Sequence, residues 1–342
     1  MRIYEPSGYA DISSIILSGI EFIFIWGGRG IGKTYGALKY VIEYLKDTDR
    51  RFMFLRRTQT QADLINRPEL SPFKTICRDY HISIGPEAIA KNMAGIYEYI
   101  DDDKRLIGYS AALSTFSNVR GFDGSDIDLI IYDEFIPERS DRAFIRAEGE
   151  ALANVVETIN RNREFDGGRP VQLVCLSNAN DIGNPIFREF NLVDIADRMQ
   201  RQHKTIYRND SRHCMLINLS DSPIAKAKRQ NALAEFMAGS DSGFYSAAYD
   251  NIFVDDSIAN INSKNLSGYD PLVTVGLYTI YKHKSGGYYM TSHRRGSPER
   301  FTLAAASLEK FRKKYYYLYN AYLNQRFDFE TKNAAVYFEN LW

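Results

Sequence analysis

Gly27-Gly28-Arg29-Gly30-Ile31-Gly32-Lys33-Thr34 satisfies the spacing G-x-x-x-x-G-K-[ST], and it falls between an apolar strand-like stretch and a helix-like one. Glycines in such a loop let successive backbone N–H groups turn inward around phosphates, and the following helix adds the positive end of its dipole. Lys33 would reach the β- and γ-phosphates of ATP, and Thr34 would ligate Mg²⁺. About a hundred residues later, Asp133 and Glu134 end a second apolar strand, Ile127–Tyr132. A carboxylate there can hold Mg²⁺ through water, and an adjacent glutamate can orient and deprotonate an attacking water. A base dedicated to water favours hydrolysis over transfer to a small acceptor.

Further groups gather around these two motifs. Ser177 and Asn178 follow the strand Val171–Ser177, where an amide can sense a γ-phosphate by hydrogen bonding. Arg161 and Arg163, in Asn160-Arg161-Asn162-Arg163-Glu164, end the helix after the acidic pair. They either complement the helix C-terminus or act as an arginine finger on a neighbouring subunit. Arg120 is a second such candidate, and Arg29 is a basic group better placed in cis. Spacing alone does not rank them. Arg56 and Arg57 end the second strand on the same edge of the sheet.

The elements that must position these groups alternate. Strand-like stretches at Phe22–Trp26, Arg51–Arg56, Ile127–Tyr132, Val171–Ser177 and Cys214–Leu219 are short and rich in Ile, Val and Phe. Helix-like stretches lie at Lys33–Lys46, Arg142–Asn162 and Pro223–Met237. The alternation predicts an α/β fold around a parallel sheet covered on both faces. A hairpin is expected at Ile96–Ile100 and Arg105–Tyr109. After a small, polar stretch at 238–243, a second hairpin is expected from Val273–Tyr281 and Tyr288–Thr291, then a helix from Leu303 to Asn324. The division read from these features is 1–240 for the nucleotide domain, 241–255 for a linker and 256–342 for a small α+β domain.

Composition bounds the class. The chain has 342 residues, 44% hydrophobic and 25% charged, with net charge zero. Residues 201–342 carry 19 Lys/Arg against 13 Asp/Glu, so the basic excess sits in the C-terminal part. That excess suits either phosphate backbones or a solvated surface. Cys77, Cys175 and Cys214 share no short spacing, which argues against a zinc or disulfide framework and for reduced thiols. The first residues lack a signal-peptide pattern, and the apolar run Ile20–Trp26 is too short to span a bilayer. No membrane partner is expected.

The segments FIWGGRGIGKTYGALKY, FMFLRRTQ, IIYDEFIPE, NRNRE and CLSNANDIGNP together resemble the phi-29-type phage DNA-packaging ATPases, small relatives of large terminase subunits in the additional-strand ATPase division. YDNIFV near Asp250 and the closing LNQRFDFETKNAAVYFENLW extend the resemblance over most of the chain. The arginine inside the glycine run, Arg29, is narrower than the general phosphate-loop pattern.

The resemblance implies a homomeric ring, a pentamer, that uses ATP and Mg²⁺ to drive double-stranded DNA into a preformed prohead. It implies docking on the portal or connector with a packaging RNA as a possible partner, and a location in the host cytoplasm, transiently on the prohead. It implies that Arg161 acts in trans, that Arg120 also acts across the subunit interface, and that Ser177 and Asn178 couple hydrolysis to DNA movement. The C-terminal domain would be a vestigial, RNase H-like nuclease. Its expected first strand, Val273–Tyr278, carries no Asp or Glu, and no obvious replacement cluster follows, although Asp328 and Glu330 lie late in the chain. A two-metal nuclease needs clustered carboxylates, so no cutting is expected. The alternatives are another additional-strand ring ATPase of phage assembly or DNA pumping, or a nucleotide-dependent DNA-binding switch.

Overall fold

Six consecutive strands of one sheet run parallel, and their sequences explain why. The computed structural model describes residues 1–67, 69–119, 121–137, 147–178, 181–228, 235–236 and 260–342. In chain order the strands of the first sheet are β1 (Phe22–Trp26), β2 (Arg51–Arg56), β3 (Ser83–Ala90), β4 (Met93–Ile100), β5 (Asp103–Ala112), β6 (Ile127–Asp133), β7 (Gln172–Ser177), β8 (Ile206–Asn209) and β9 (Cys214–Asn218). Their spatial order is β3-β4-β5-β2-β6-β7-β1-β9-β8. From β5 to β9 every neighbouring pair is parallel. The central strands β6, β7, β1 and β9 are buried along almost their whole length, as continuous apolar runs covered on both faces should be.

Strand alternation sends Ile23, Ile25, Phe52, Phe54, Leu129, Ile131, Val174 and Leu176 into one core, against Ile12, Ile15 and Ile16 of the helix Ile12–Ile16 and Ala37 and Leu38 of the helix Lys33–Tyr40. Phe24, Phe135 and Phe187 meet edge-on or tilted in a second aromatic cluster, with ring centroids 5.5–6.1 Å apart. The acidic strand β6 lies one strand away from the phosphate-loop strand β1, with β7 inserted between them.

Differences from the sequence reading are local. The helix from Lys33 changes to π geometry at Val41–Leu45. The first hairpin is longer than expected, with β4 and β5 closing at Ile100 and Asp103 around Asp101, whose φ is +52°. A third strand, β3, extends it, and a short further strand, β8, lies beyond β9 at the far edge. The helix from Arg142 is described from Glu148 to Asn160 and that from Pro223 to Lys228. Arg120 and the expected linker 241–255 lie outside the described residues.

The chain divides into two compact units, residues 1–190 with 198–253, and residues 191–197 with 254–342. The second unit holds the strands β10 (Asn260–Ile261), β11 (Tyr269–Val275), β12 (Tyr278–His283), β13 (Tyr288–Thr291), β14 (Glu299–Phe301) and β15 (Phe327–Phe329) in the order β10-β15-β13-β12-β11-β14. The single strand expected at Val273–Tyr281 is two, because Gly276 takes φ +55° and the chain reverses there. Its first strand starts at Tyr269 and so includes Asp270, which lies opposite Lys282. The helix Ala305–Leu323 packs Phe311, Tyr315, Leu318 and Tyr322 into an aromatic core with Phe327, Phe329 and Phe338. Among the described residues no helix is long and apolar enough to cross a membrane.

Candidate functional site

The phosphate loop is built by backbone geometry. Gly27 leaves β1 with φ +148°, and a Cβ there would lie 2.8 Å from the Leu219 carbonyl carbon, so the close approach of strand β9's exit requires glycine. Gly32 precedes the helix Lys33–Tyr40 with φ +87°. The loop is tied down by backbone bonds from Ala10 N to Ile31 O (3.0 Å) and from Leu219 N to Trp26 O (2.8 Å). Gly28 is buried, whereas Arg29 and Gly30 are exposed at the tip. Lys33 is buried and donates to the carbonyls of Gly27 (3.0 Å) and Gly28 (2.8 Å), which folds its ammonium back over the loop.

The acidic pair arrives from β6. The Thr34 hydroxyl donates to both Asp133 oxygens, at 3.2 and 3.0 Å, across 99 residues of sequence. Burial pushes the Asp133 carboxyl up from its usual range and Glu134 adds to this, while Arg56, Thr34 and Lys33 oppose it. Glu134 turns out of the strand with φ +62°, an uncommon conformation for a non-glycine residue, and its side chain keeps 37% exposure. Phe135 N then bonds back to Leu176 O at 3.1 Å, which fixes the turn against β7.

Sequence reasoning underrated Arg56. The β2–β6 register pairs Leu55 with Tyr132, which brings the next residues, Arg56 and Asp133, side by side. One guanidinium nitrogen lies 3.0 Å from Asp133 Oδ2 and the other 2.7 Å from Glu134 Oε2. The available signal was a pair of arginines at the end of a strand on the ligand edge. Its neighbour Arg57 points elsewhere. It makes a bidentate pair with Glu148 (2.8 and 2.9 Å), both side chains buried, and Tyr132 OH donates to Glu148 at 2.8 Å. Glu148 opens the helix Glu148–Asn160, so this network ties the ends of β2 and β6 to that helix's start.

Ser177 ends β7 opposite Trp26, and Asn178 therefore leaves the sheet level with Gly27. Both stand on the phosphate edge.

Arg161 and Arg163 do not. The helix Glu148–Asn160 has 13 residues, about 20 Å at 1.5 Å per residue, and it runs to the opposite edge of the sheet. There Arg163 donates to the carbonyls of Ile127 (2.6 Å) and Gly124 (2.7 Å) and lies 3.3 Å from Asp128. These acceptors surround the start of β6, while Asp133 is its end. The Arg163 side chain is 13% exposed, and its guanidinium is held by these groups of its own chain. Arg161, with φ +45°, donates to Phe122 O at 3.0 Å and pairs with Asp123 at 3.5 Å, its side chain half exposed.

The donor set suits Mg²⁺ and a polyphosphate. A hydroxyl and a carboxylate already face each other at 3.0 Å, as oxygen ligands of a hard cation should. Beside them lie a glycine cradle that a Cβ would fill and a helix N-terminus led by Lys33.

A profile of the Podovirus DNA encapsidation protein (Gp16) family matches residues 9–280. A DNA packaging protein of Bacillus phage phi29 is 30% identical over 244 residues, 71% of this chain but only 65% of that protein's length. A DNA packaging protein of Bacillus phage B103 is 28% identical over 324 residues, covering 90% of this chain and 92% of the relative. Among solved structures, a chain of the bacteriophage Phi-29 viral genome packaging motor assembly superposes with a TM-score of 0.67 at 21% identity, covering 98% of this chain and 99% of that one. At that identity the likeness describes the fold.

Proposed function

The chain belongs to the Podovirus DNA encapsidation protein (Gp16) family, and from that premise we propose that it is an ATP-hydrolysing motor that moves double-stranded viral DNA into a preformed prohead, working as a homomeric ring. The observation that carries this reading is the bond of Thr34 to Asp133, which joins the phosphate loop to an acidic pair ending in Glu134. The DNA packaging proteins of phages phi29 and B103 supply the substrate class.

Each residue then has a part. The Lys33 ammonium exchanges the carbonyls of Gly27 and Gly28 for phosphate oxygens, and the loop's N–H groups hold the rest of the polyphosphate. Thr34 and Asp133 would hold Mg²⁺, which neutralises charge on the phosphates. Glu134, half exposed at the mouth of the site, orients a water and accepts its proton. Asn178, level with Gly27, responds to the γ-phosphate and passes that state to the rest of the chain together with Ser177.

Arg161 follows a helix about 20 Å long whose first residue, Glu148, is bonded to Tyr132 beside Asp133, so its part is assigned to a neighbouring subunit's site. Arg120 is assigned to the same interface. A ring of such subunits, proposed as a pentamer on the portal with a packaging RNA nearby, supplies that neighbour. The reading places the motor in the host cytoplasm, transiently on the prohead, and divides the chain into a motor domain 1–240, a linker 241–255 and a DNA- or connector-binding domain 256–342. There Lys282–Lys284, His293–Arg295 and Lys310–Lys314 would contact phosphates without reading sequence, so binding weakens as salt rises.

The C-terminal domain is assigned no nuclease activity. Its late carboxylates are otherwise engaged: Asp328 accepts from Lys264 at 2.6 Å, and Glu330 accepts from Thr291 at 2.6 Å and from Ser292 N at 3.1 Å. DNA cut by the purified protein in Mg²⁺ or Mn²⁺, and spared after a C-terminal point change, would overturn this.

Steady-state ATP hydrolysis with and without double-stranded DNA tests the motor reading. Turnover is expected to rise with duplex and to fall back at high salt. ATP binding without turnover would leave a nucleotide-dependent switch instead.

A further inference from the structure

Phe165 follows Arg161 by four residues, on the short 3₁₀ turn Arg163–Asp166. At 88% exposure it is the most exposed large apolar side chain among the described residues. The helix that leads to the turn behaves differently. Leu152, Val155 and Ile159 of Glu148–Asn160 are all buried, so the large apolar side chains before the turn are covered by their own chain. A single apolar side chain at a surface needs no explanation by itself. This one stands on a turn that is held fast, next to a cation assigned to a neighbouring subunit.

The turn is held from both ends. Phe165 N donates to Asn162 O at 2.9 Å, Gly167 N to Glu164 O at 3.2 Å and Gly168 N to Arg163 O at 2.8 Å. The Arg163 guanidinium anchors the turn on the carbonyls of Gly124 and Ile127. The Asn160 side chain accepts from Val171 N at 2.8 Å, which closes the turn's exit onto the end of the helix. The ring is therefore presented in advance, and a partner that covers it has little backbone left to order. Arg161 is held more lightly, by one bond to Phe122 O and a 3.5 Å pair with the exposed Asp123. Surface pairs of that kind contribute little, so the guanidinium can exchange partners.

We propose that Phe165 is a subunit-interface anchor: its ring is covered by a second copy of this chain, beside that copy's nucleotide site, and this docking brings Arg161 to the neighbour's γ-phosphate. Four residues of chain span at most about 14 Å, so a neighbour that receives Arg161 meets Phe165 on the same face. An aromatic in a desolvated seat is the usual anchor of such a contact. DNA is a poorer occupant, because the exposed Asp123 and Glu164 on either side of Arg161 would repel its phosphates. The inference rests on the trans reading of Arg161 and adds the contact that delivers it. Arg163 then serves the interface indirectly, by holding the turn.

The test separates giving a finger from using one. Arg161→Ala subunits keep Glu134 but give no finger, and Glu134→Gln subunits give a finger but do not turn over ATP. A fixed amount of the first is titrated with the second, and the rescued ATP turnover gives a half-point. Donors are Glu134→Gln alone, Glu134→Gln/Phe165→Ala and Glu134→Gln/Phe165→Tyr. Truncating an aromatic anchor costs about 30-fold or more in affinity. The Phe165→Ala donor is therefore expected to move the half-point up by about 30-fold, while the Phe165→Tyr donor, which keeps the ring, stays within about threefold of the parent. The single variant Phe165→Ala is expected to keep the wild-type urea midpoint and to bind a fluorescent ATP analogue with wild-type affinity, because the ring touches neither its own core nor its own nucleotide.

An unchanged half-point for the Phe165→Ala donor overturns the proposal. So does a lowered urea midpoint or a lowered ATP affinity in Phe165→Ala, which would give the ring a place in its own subunit. A half-point that moves as far with Phe165→Tyr as with Phe165→Ala overturns it too, since the ring would then not be what is recognised. Arg161→Ala protein that turns over ATP at the wild-type rate, or that no Glu134→Gln donor rescues, overturns the trans reading and the inference with it. Rescue by the parent donor that is indifferent to Phe165 overturns only this inference.

Discussion

The two ends of strand β6 each hold a mostly buried arginine, and the partners differ. At the end that meets the phosphate loop, Arg56 bridges the carboxylates of Asp133 and Glu134. At the start, Arg163 spends its guanidinium on the backbone carbonyls of Gly124 and Ile127. Side-chain carboxylates can be handed to a metal or a water, whereas backbone carbonyls at a strand's start can only be held. The upper arginine therefore sits on groups that chemistry can use, and Arg163 sits on groups that only hold it. The helix Glu148–Asn160 links them, its first residue locked to Arg57 and its end leading to Arg161.

Variants along that helix can break the contrast. Arg161→Ala is expected to have the largest effect, a loss of about 10³-fold or more in turnover if it supplies charge to a neighbour's site. Activity should return in mixtures with subunits that keep Arg161 but lack Glu134. If Arg161→Ala protein hydrolyses ATP at the wild-type rate, the trans assignment fails.

Glu148→Gln comes next. Breaking a buried, bidentate pair leaves Arg57 uncompensated and costs about 3–5 kcal/mol, read as a lowered midpoint in urea unfolding. A wild-type midpoint would mean that water reaches the pair.

Arg163→Met should cost less, about 1–3 kcal/mol for carbonyls left without a donor. At a temperature where the variant is folded, ATP affinity is expected to be unchanged. A variant of full stability that binds no ATP would make the lower edge part of the site after all.

Much of the upper edge was legible in the sequence, because its chemistry is local. Eight consecutive residues make the phosphate loop, and one strand delivers Asp133 and Glu134. The central strands were legible because full burial writes them as unbroken apolar runs. Harder to read were features that depend on which strands become neighbours. Arg56 and Asp133 are 77 positions apart, and only the β2–β6 register joins them. The surroundings of Arg163 were hidden for a related reason: spacing places it at a helix end but does not say which edge of the sheet that end reaches. Strand β3, Ser-Ile-Gly-Pro-Glu-Ala-Ile-Ala, was hidden by its Gly-Pro and its exposed edge position. The turn at Gly276–Leu277 was hidden inside a run that alternates through it.

The central claim is that ATP bound at Gly27–Thr34 is hydrolysed by a water that Glu134 deprotonates. The direct measurement is ATP binding and ATP turnover on the same preparations of wild type and Glu134→Gln. Wild type is expected to bind and turn over ATP, and Glu134→Gln to bind it with similar affinity while losing about 10²- to 10⁴-fold in turnover, the range for a general base. Glu134→Gln protein that hydrolyses ATP at the wild-type rate would contradict the account.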